Sequence, residues 1–334
     1  VDLSVVIPVY HGASTLPLLI PRLLTVLGKT VGTFEVIVVD DGSKDGSWEV
    51  IRGLQAAHPD HLVAVRLMRN FGQHNALMAG FRLTSGNLIV TMDEDLQHPP
   101  EEVPKLIEAI ESRDLDLVYG AYHEKRHSGW RNLGSTLINA FYRMVFRLPV
   151  TLSAFRIIRR ELLQCIFSYS LNYTLIDGLL AWNTDRVGET PVDHKPRAGG
   201  RSGYSLAKLV LLALNLFTNF SLIPLQVVSL LGLAAAGVGL VGAIYYLYGY
   251  LVHAITQPGY ASTIIVILVM GGIQLLGIGI MGEYIGRLHL NVNRKPQYSV
   301  REILGPAATG RDGITPVREK ALTPAVPDET RHAE

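Results

Sequence analysis

Five short runs rich in Val, Ile and Leu mark the first 120 residues: Leu3–Val9, Phe34–Val39, Leu62–Leu67, Leu88–Met92 and Leu115–Tyr119. Each is mostly apolar and of strand length, so each is expected to be a strand buried on both faces. Between them, apolar positions recur at the spacing of an amphipathic helix over Leu16–Leu27, Ser47–Ala57, Gln73–Leu83 and Pro100–Ser112. Continuous apolar strands alternating with helices predict an α/β fold. Its mainly parallel sheet is covered on both faces.

The pattern changes past residue 204. Val227–Val252 is 26 mostly apolar residues and Ala261–Met281 is 21. As helices they would span ~39 and ~32 Å, enough for a hydrocarbon core of ~30 Å. Both are rich in Gly, which lets helices approach closely in lipid. The expectation is a transmembrane hairpin over 224–286, entered at Pro224. Arg287, Arg294, Lys295 and Arg301 follow the second span, whereas the connector His253–Tyr260 holds no Lys or Arg. That bias places both ends of the hairpin on the cytoplasmic side of the inner membrane. Ser205–Ser221 has Lys208, Asn215, Thr218 and Asn219 on one face and reads as a helix lying on the leaflet, within an interfacial segment 205–223. The expected order is a catalytic domain over 1–204, the interfacial segment, the hairpin, a juxtamembrane segment over 287–304 and a disordered tail over 305–334.

Charge sharpens this division. The net charge of +1 hides 9 Lys/Arg against 16 Asp/Glu in residues 1–120, then 13 against 6 in 121–208, then none of either in 209–282. With 48% hydrophobic residues the chain is not intrinsically disordered. It lacks the basic runs of a nucleic-acid binder. A single cysteine, Cys165, excludes a disulfide framework and is expected to be buried and inert.

In parallel α/β sheets ligands bind beyond the carboxyl ends of the strands. The first strand ends in Pro8-Val9-Tyr10, the second in Asp40-Asp41-Gly42-Ser43 and the fourth in Asp93-Glu94-Asp95. Two acidic clusters at such ends are costly unless something cationic or hydrogen-bonding lies between them. A divalent metal with the polar edge of a base and ribose answers both, and the DxD spacing suits Mg²⁺ or Mn²⁺ shared with a diphosphate. The simpler readings are a turn and helix cap for Asp40-Asp41 and a solvated loop for Asp93–Asp95.

The stretches SVVIPVYHGASTL, VIVVDDGSKDGS, RNFGQHNALMAG and MDEDLQHPPEEVP resemble a family 2 glycosyltransferase with the GT-A fold. With the charge-free block and GEYIGRLHLNVNRKPQY, residues 3–303 are similar to bacterial polyisoprenyl-phosphate glycosyltransferases. That group is related to dolichol-phosphate mannose synthase and includes undecaprenyl-phosphate glucosyl- and aminoarabinosyl-transferases. The resemblance implies that Pro8, Tyr10, Asp40, Asp41 and Asp93 hold the nucleotide. It implies that Asp93 and Asp95 hold Mg²⁺ or Mn²⁺, with Asp95 the principal ligand. Gln97 would face the same pocket, with His98 a loop residue. The loop His194–Tyr204 resembles the family's RxxGxSKY, so Arg197, Arg201, Ser202 and Tyr204 would bind diphosphate or lipid phosphate. Arg126, Arg131, Arg143 and Arg147 would face lipid headgroups.

Two departures stand out. Relatives carry Glu shortly after PVYN; here Ser14 follows, read as a helix N-cap. Relatives carry an Asp before the FR, their proposed base; here the residues are Thr151, Leu152, Ser153 and Ala154. A phosphate monoester with its second pKa near ~6 is already largely a dianion at pH 7, so attack needs no base. Asp177 is the fallback candidate for one. The expected activity is inverting transfer of one sugar from a nucleotide donor to polyprenyl phosphate, by a homo-oligomer in the bilayer. The alternatives are a processive polysaccharide synthase or a non-catalytic partner-binding homologue. The sugar and the nucleotide, UDP or GDP, stay open.

Overall fold

The computed structural model describes residues 1–121, 150–169, 175–193, 223–252, 259–292 and 296–306. These form two compact units: a sheet unit, to which the segment from Pro296 belongs, and a unit of long helices within 204–295.

The sheet unit runs β1 (Leu3–Val9), α1 (Leu16–Thr30), β2 (Phe34–Asp40), α2 (Ser47–Ala57), β3 (Leu62–Leu67), α3 (Gln73–Phe81) and β4 (Leu88–Thr91). A 3₁₀ turn at Pro100–Glu102 leads into α4 (Val103–Ser112), then β5 (Leu117–Ala121). After the undescribed stretch come β6 (Arg156–Arg159), α5 (Arg160–Ile166), α6 (Ile176–Ala181) and β7 (Val187–Pro191). The five expected strands are all present, displaced by at most two residues at their ends. The eight-stranded order is β7-β5-β6-β4-β1-β2-β3-β8, where β8 is Val300–Leu304. Strands β4, β1, β2 and β3 are mutually parallel, while β6 and β8 pair antiparallel with their neighbours. This is the mainly parallel α/β sheet that the GT-A resemblance implies.

Every residue of β1 is buried, and its two neighbours set the register of the site. Val9 pairs with Asp40 on one side and Val6 with Thr91 on the other. Asp40 and Asp93 therefore emerge at carboxyl ends that flank β1. Helix α3 packs on this region without an amphipathic stripe, since Ala76 to Phe81 are all buried. Its small residues permit close approach: a Cβ on Gly80 would stand 2.4 Å from Cγ1 of Val6.

Three expectations are corrected. Ser14 is not the cap of α1, because Thr15 holds that place and Ser14 lies in the turn before it. Pro17 in the first turn fixes the start there, and the Thr15 hydroxyl donates to the Gly12 carbonyl at 3.1 Å. Cys165 is exposed, its thiol 3.3 Å from the Glu161 carbonyl, because α5 buries Leu162, Leu163 and Ile166 instead. The segment 287–304 divides: helix continues to Val292, and Val300–Leu304 joins the sheet.

The second unit holds α7 (Ile223–Leu251) and α8 (Tyr260–Val292). Both are long and apolar enough to cross a membrane, with windows at Leu225–Gly242 (mean hydropathy 2.0) and Val269–Gly286 (1.3). They fold back on one another, with Gly277 in reach of Val228. Leu230, Leu233, Val238, Leu240, Leu275 and Ile278 are exposed, as suits side chains solvated by lipid rather than water.

Candidate active site

The loops after β1 and β2 are stitched together. The His11 and Gly12 amides donate to the hydroxyls of Ser43 (3.1 Å) and Ser47 (2.9 Å), and Asp45 accepts the Ser47 hydroxyl at 2.5 Å. Tyr10 projects from the end of β1 with 45% of its surface exposed, and its ring stacks on His11 at 4.1 Å between centroids. His11 holds a left-handed backbone (φ 64°), a conformation that non-glycine residues adopt at a cost.

Asp40 is fully buried. It accepts the Ser43 amide at 3.1 Å, and Arg66 stands 3.7 Å away, but Oδ2 has no hydrogen-bond partner. That oxygen faces the Arg66 guanidinium, whose positive charge offsets part of the cost of burying it. Asp41 accepts the Phe71 amide at 2.7 Å and the Gly72 amide at 2.9 Å. Burial nevertheless pushes its carboxyl up to about 6. Gly42 follows with φ 70°, and a Cβ there would meet the Arg69 backbone at 2.6 Å. Only glycine lets the 69–72 loop close over Asp41. Asp41 thus does cap a neighbouring loop, while Asp40 is braced by the Ser43 amide and the Arg66 guanidinium.

The second acidic cluster, Asp93–Asp95, is partly buried and hydrogen-bonded rather than a freely solvated loop. Gln73, the first residue of α3, donates to Asp93 at 2.6 Å, and the Gln97 amide donates to Asp95 at 3.1 Å. Leu96 bends the loop through a left-handed backbone (φ 63°). Glu94 turns against the β1 loop, since a Cβ on Gly12 would stand 3.0 Å from its Cγ. Burial pushes the Glu94 carboxyl up to about 7, with Asp93 and Asp95 adding like charge and the Tyr10 amide opposing. His98 lies in the loop but is buried, its ring stacked on Phe155 at 5.2 Å.

Asp93 and Asp95 offer only hard carboxylate oxygens. Among the described residues no three acidic, His or Cys side chains converge. A divalent ion here would draw its remaining ligands from phosphate and water, which suits Mg²⁺ or Mn²⁺. The donor set fits the metal.

Beside β4 lies a group missed in the sequence. Arg156 is 1% exposed and pairs in register with Thr91 and with Tyr119. Its guanidinium is salt-bridged to Asp177 at the start of α6. The Tyr119 hydroxyl donates to the same Asp177 oxygen at 2.8 Å. His74 of α3 borders this pair, and burial pulls its imidazole down, towards the neutral form. Ala154 occupies the place of the relatives' Asp, its carbonyl accepting the Thr91 hydroxyl at 2.6 Å. The FR dipeptide was the available signal for Arg156; its counter-ion was not legible, because Asp177 is 21 residues away.

The structure thus brings Pro8, Tyr10, Asp40, Asp41, Asp93 and Asp95 to one edge of the sheet, at the ends of β1, β2 and β4. Asp177 is held in the salt bridge to Arg156, whose strand partner Thr91 lies two residues before Asp93. Arg197, Arg201, Ser202, Tyr204, the interfacial segment, the headgroup-facing arginines and the tail beyond 306 lie outside the described residues.

Comparison with known proteins gives two family matches: glycosyl transferase family 2 over residues 4–167 and the GtrB C-terminal hairpin over 223–288. The undecaprenyl-phosphate 4-deoxy-4-formamido-L-arabinose transferase of Aeromonas hydrophila is 36% identical over 92% of this chain and 95% of that protein. The Pseudomonas aeruginosa protein of the same name is 33% identical over 96% and 97%. Among solved structures, glucosyl-3-phosphoglycerate synthase from Mycobacterium tuberculosis with Mn²⁺ and UDP aligns over 65% of this chain and 77% of that one, at TM-score 0.44 and 21% identity. The carboxylate-bearing sheet edge, the apolar hairpin and near-full-length similarity agree: this chain belongs to glycosyl transferase family 2.

Proposed function

We propose that this protein transfers a single sugar from a nucleotide donor to undecaprenyl phosphate at the cytoplasmic face of a membrane. We further propose a sugar of the 4-deoxy-4-formamido-arabinose type, after the relatives' names. The observation that carries the reading is the placement of Asp40–Asp41 and Asp93–Asp95 at strand ends that flank β1.

Tyr10, Pro8 and the Asp40–Asp41 pair receive base and ribose, with Tyr10 exposed at the end of β1 for contact with the nucleotide. Asp93 and Asp95 would hold Mg²⁺ or Mn²⁺, which supplies neutralising charge at the departing diphosphate. Gln73 orients Asp93 through its amide. A lipid phosphate oxygen forms the new bond to the anomeric carbon as the bond from that carbon to the diphosphate oxygen breaks, with inversion. Arg197 and Arg201 would grip the acceptor phosphate, since guanidinium matches phosphate oxygens bidentately.

No residue need take a proton in this scheme. Asp177 serves as counter-ion to Arg156 rather than as base, because the oxygen facing Arg156 also accepts the Tyr119 hydroxyl. The test is incubation of the membrane-embedded chain with labelled UDP- and GDP-sugars and undecaprenyl phosphate. A lipid-linked product with a 4-deoxy-4-formamido-arabinose donor supports the reading. Extension to a polymer, or no transfer from any donor, defeats it.

A further inference from the structure

Strand β8 and the residues just before it meet both ends of the segment 68–82. Strand β8 lies antiparallel along β3, with Ala64 opposite Leu304, Arg66 opposite Glu302 and Leu67 opposite Val300. The pairing continues one step further, where the Met68 amide donates to the Ser299 carbonyl at 2.9 Å. Gly305 ends the strand at φ 113°, so tightly packed that a Cβ would stand 2.8 Å from the Leu62 carbonyl.

Met68 opens the segment that organises the acidic pairs. The amides of Phe71 and Gly72 hold Asp41, and Gln73 holds Asp93. The Asn75 side chain donates to the Phe71 carbonyl at 2.9 Å and locks the turn. Helix α3 then runs to Arg82 at its C-cap. Arg82 lies beside the Tyr298 hydroxyl, donates to the Phe167 carbonyl at 3.1 Å and stacks over the Phe167 ring at 5.1 Å. The Gln297 side chain reaches the Tyr169 carbonyl at 3.5 Å. Segment 68–82 is thus held at its first residue by the Ser299 carbonyl, while Arg82 at its last is held on Phe167 and lies beside Tyr298.

We infer that Tyr298 and Ser299 are positioning residues for the donor site, acting through segment 68–82 on Asp41 and Asp93. The inference rests on the donor reading above. Only three residues separate Val292, the end of α8, from Pro296, so the chain leaving the apolar hairpin enters this support directly. Burial pushes the Tyr298 hydroxyl up while Arg82 pulls it down, as befits a neutral hydroxyl paired with a cation. A donor site supported from beyond the hairpin depends on the whole chain being in place.

The experiment compares the full-length chain in lipid nanodiscs with its Tyr298→Phe and Arg82→Lys variants by hydrogen exchange. Loss of one hydrogen bond predicts about fivefold faster exchange of the amides in 68–82. Amides of β5 and β6 should stay at the wild-type rate. Binding of UDP or GDP with Mn²⁺, whichever the wild type binds, should weaken by a similar factor, and donor KM should rise while kcat holds. Wild-type exchange in 68–82 of both variants would overturn the inference, as would equal acceleration across the sheet. A wild type that binds neither nucleotide counts against the donor reading instead, and exchange still decides the positioning role.

Discussion

Asp41 shows how the site's chemistry is set at the scale of one residue. Two short amide hydrogen bonds favour its charged form, yet burial dominates and raises the carboxyl from 3.8 to about 6. A raised carboxyl binds its proton more tightly folded than unfolded. Its stabilising contribution is therefore full below pH 4 and is lost as pH rises through about 6. A shift of this size corresponds to on the order of 3 kcal/mol. Thermal unfolding of the ligand-free protein should show a steeper loss of stability between pH 4 and 6 in the wild type than in Asp41→Asn. Parallel profiles would contradict this assignment. Asp177 gives a second prediction. Breaking a buried ion pair leaves the Arg156 charge uncompensated, so Asp177→Asn should cost about 3–5 kcal/mol of stability. Turnover per folded molecule should stay within about threefold. A general base would instead account for about 10²–10⁴ in rate, with a changed pH profile.

Helix α3 shows the same logic at the scale of an element. Its recognition rested on the motif RNFGQHNALMAG and on apolar spacing, yet the helix is buried nearly all round in its second half. Gly80 sets its distance from β1. Gly80→Ala should cost about 1–3 kcal/mol by overpacking. It should also raise donor KM, because Gln73 at the other end would lose register with Asp93. Calorimetry with a donor titration would check both, and an unchanged KM would detach α3 from the site. The strands were legible because a strand buried on both faces is an uninterrupted apolar run. β6 and β7 were not: RIIR carries two arginines, and VGETP has only one buried residue. Strand β8 was hidden for the same reason, since VREIL reads as charged chain beside a membrane until β3 supplies its partner. The acidic pairs were readable because strand ends collect ligands in such sheets. Glu94 and the Arg156–Asp177 pair were not, since only the fold shows which way a side chain turns.

The charge segregation acquires a physical reading at the scale of the whole molecule. The acidic N-terminal block contains the carboxylates proposed to hold nucleotide and metal. The charge-free block contains α7 and the first two-thirds of α8, up to Gly282, and the basic block contains the proposed lipid-phosphate loop. If the two helices cross the bilayer, the chain should stay in the membrane fraction after an alkaline carbonate wash, and release into the supernatant would contradict that. The central claim is tested most directly by one reconstitution. The full-length wild type and Asp95→Ala are placed in liposomes with undecaprenyl phosphate and labelled 4-deoxy-4-formamido-arabinose nucleotide, with and without Mg²⁺ or Mn²⁺. The account predicts a single-sugar lipid product from the wild type with metal, none with chelator, and none from a folded Asp95→Ala. Product formed equally well by that variant, or with chelator present, would contradict it.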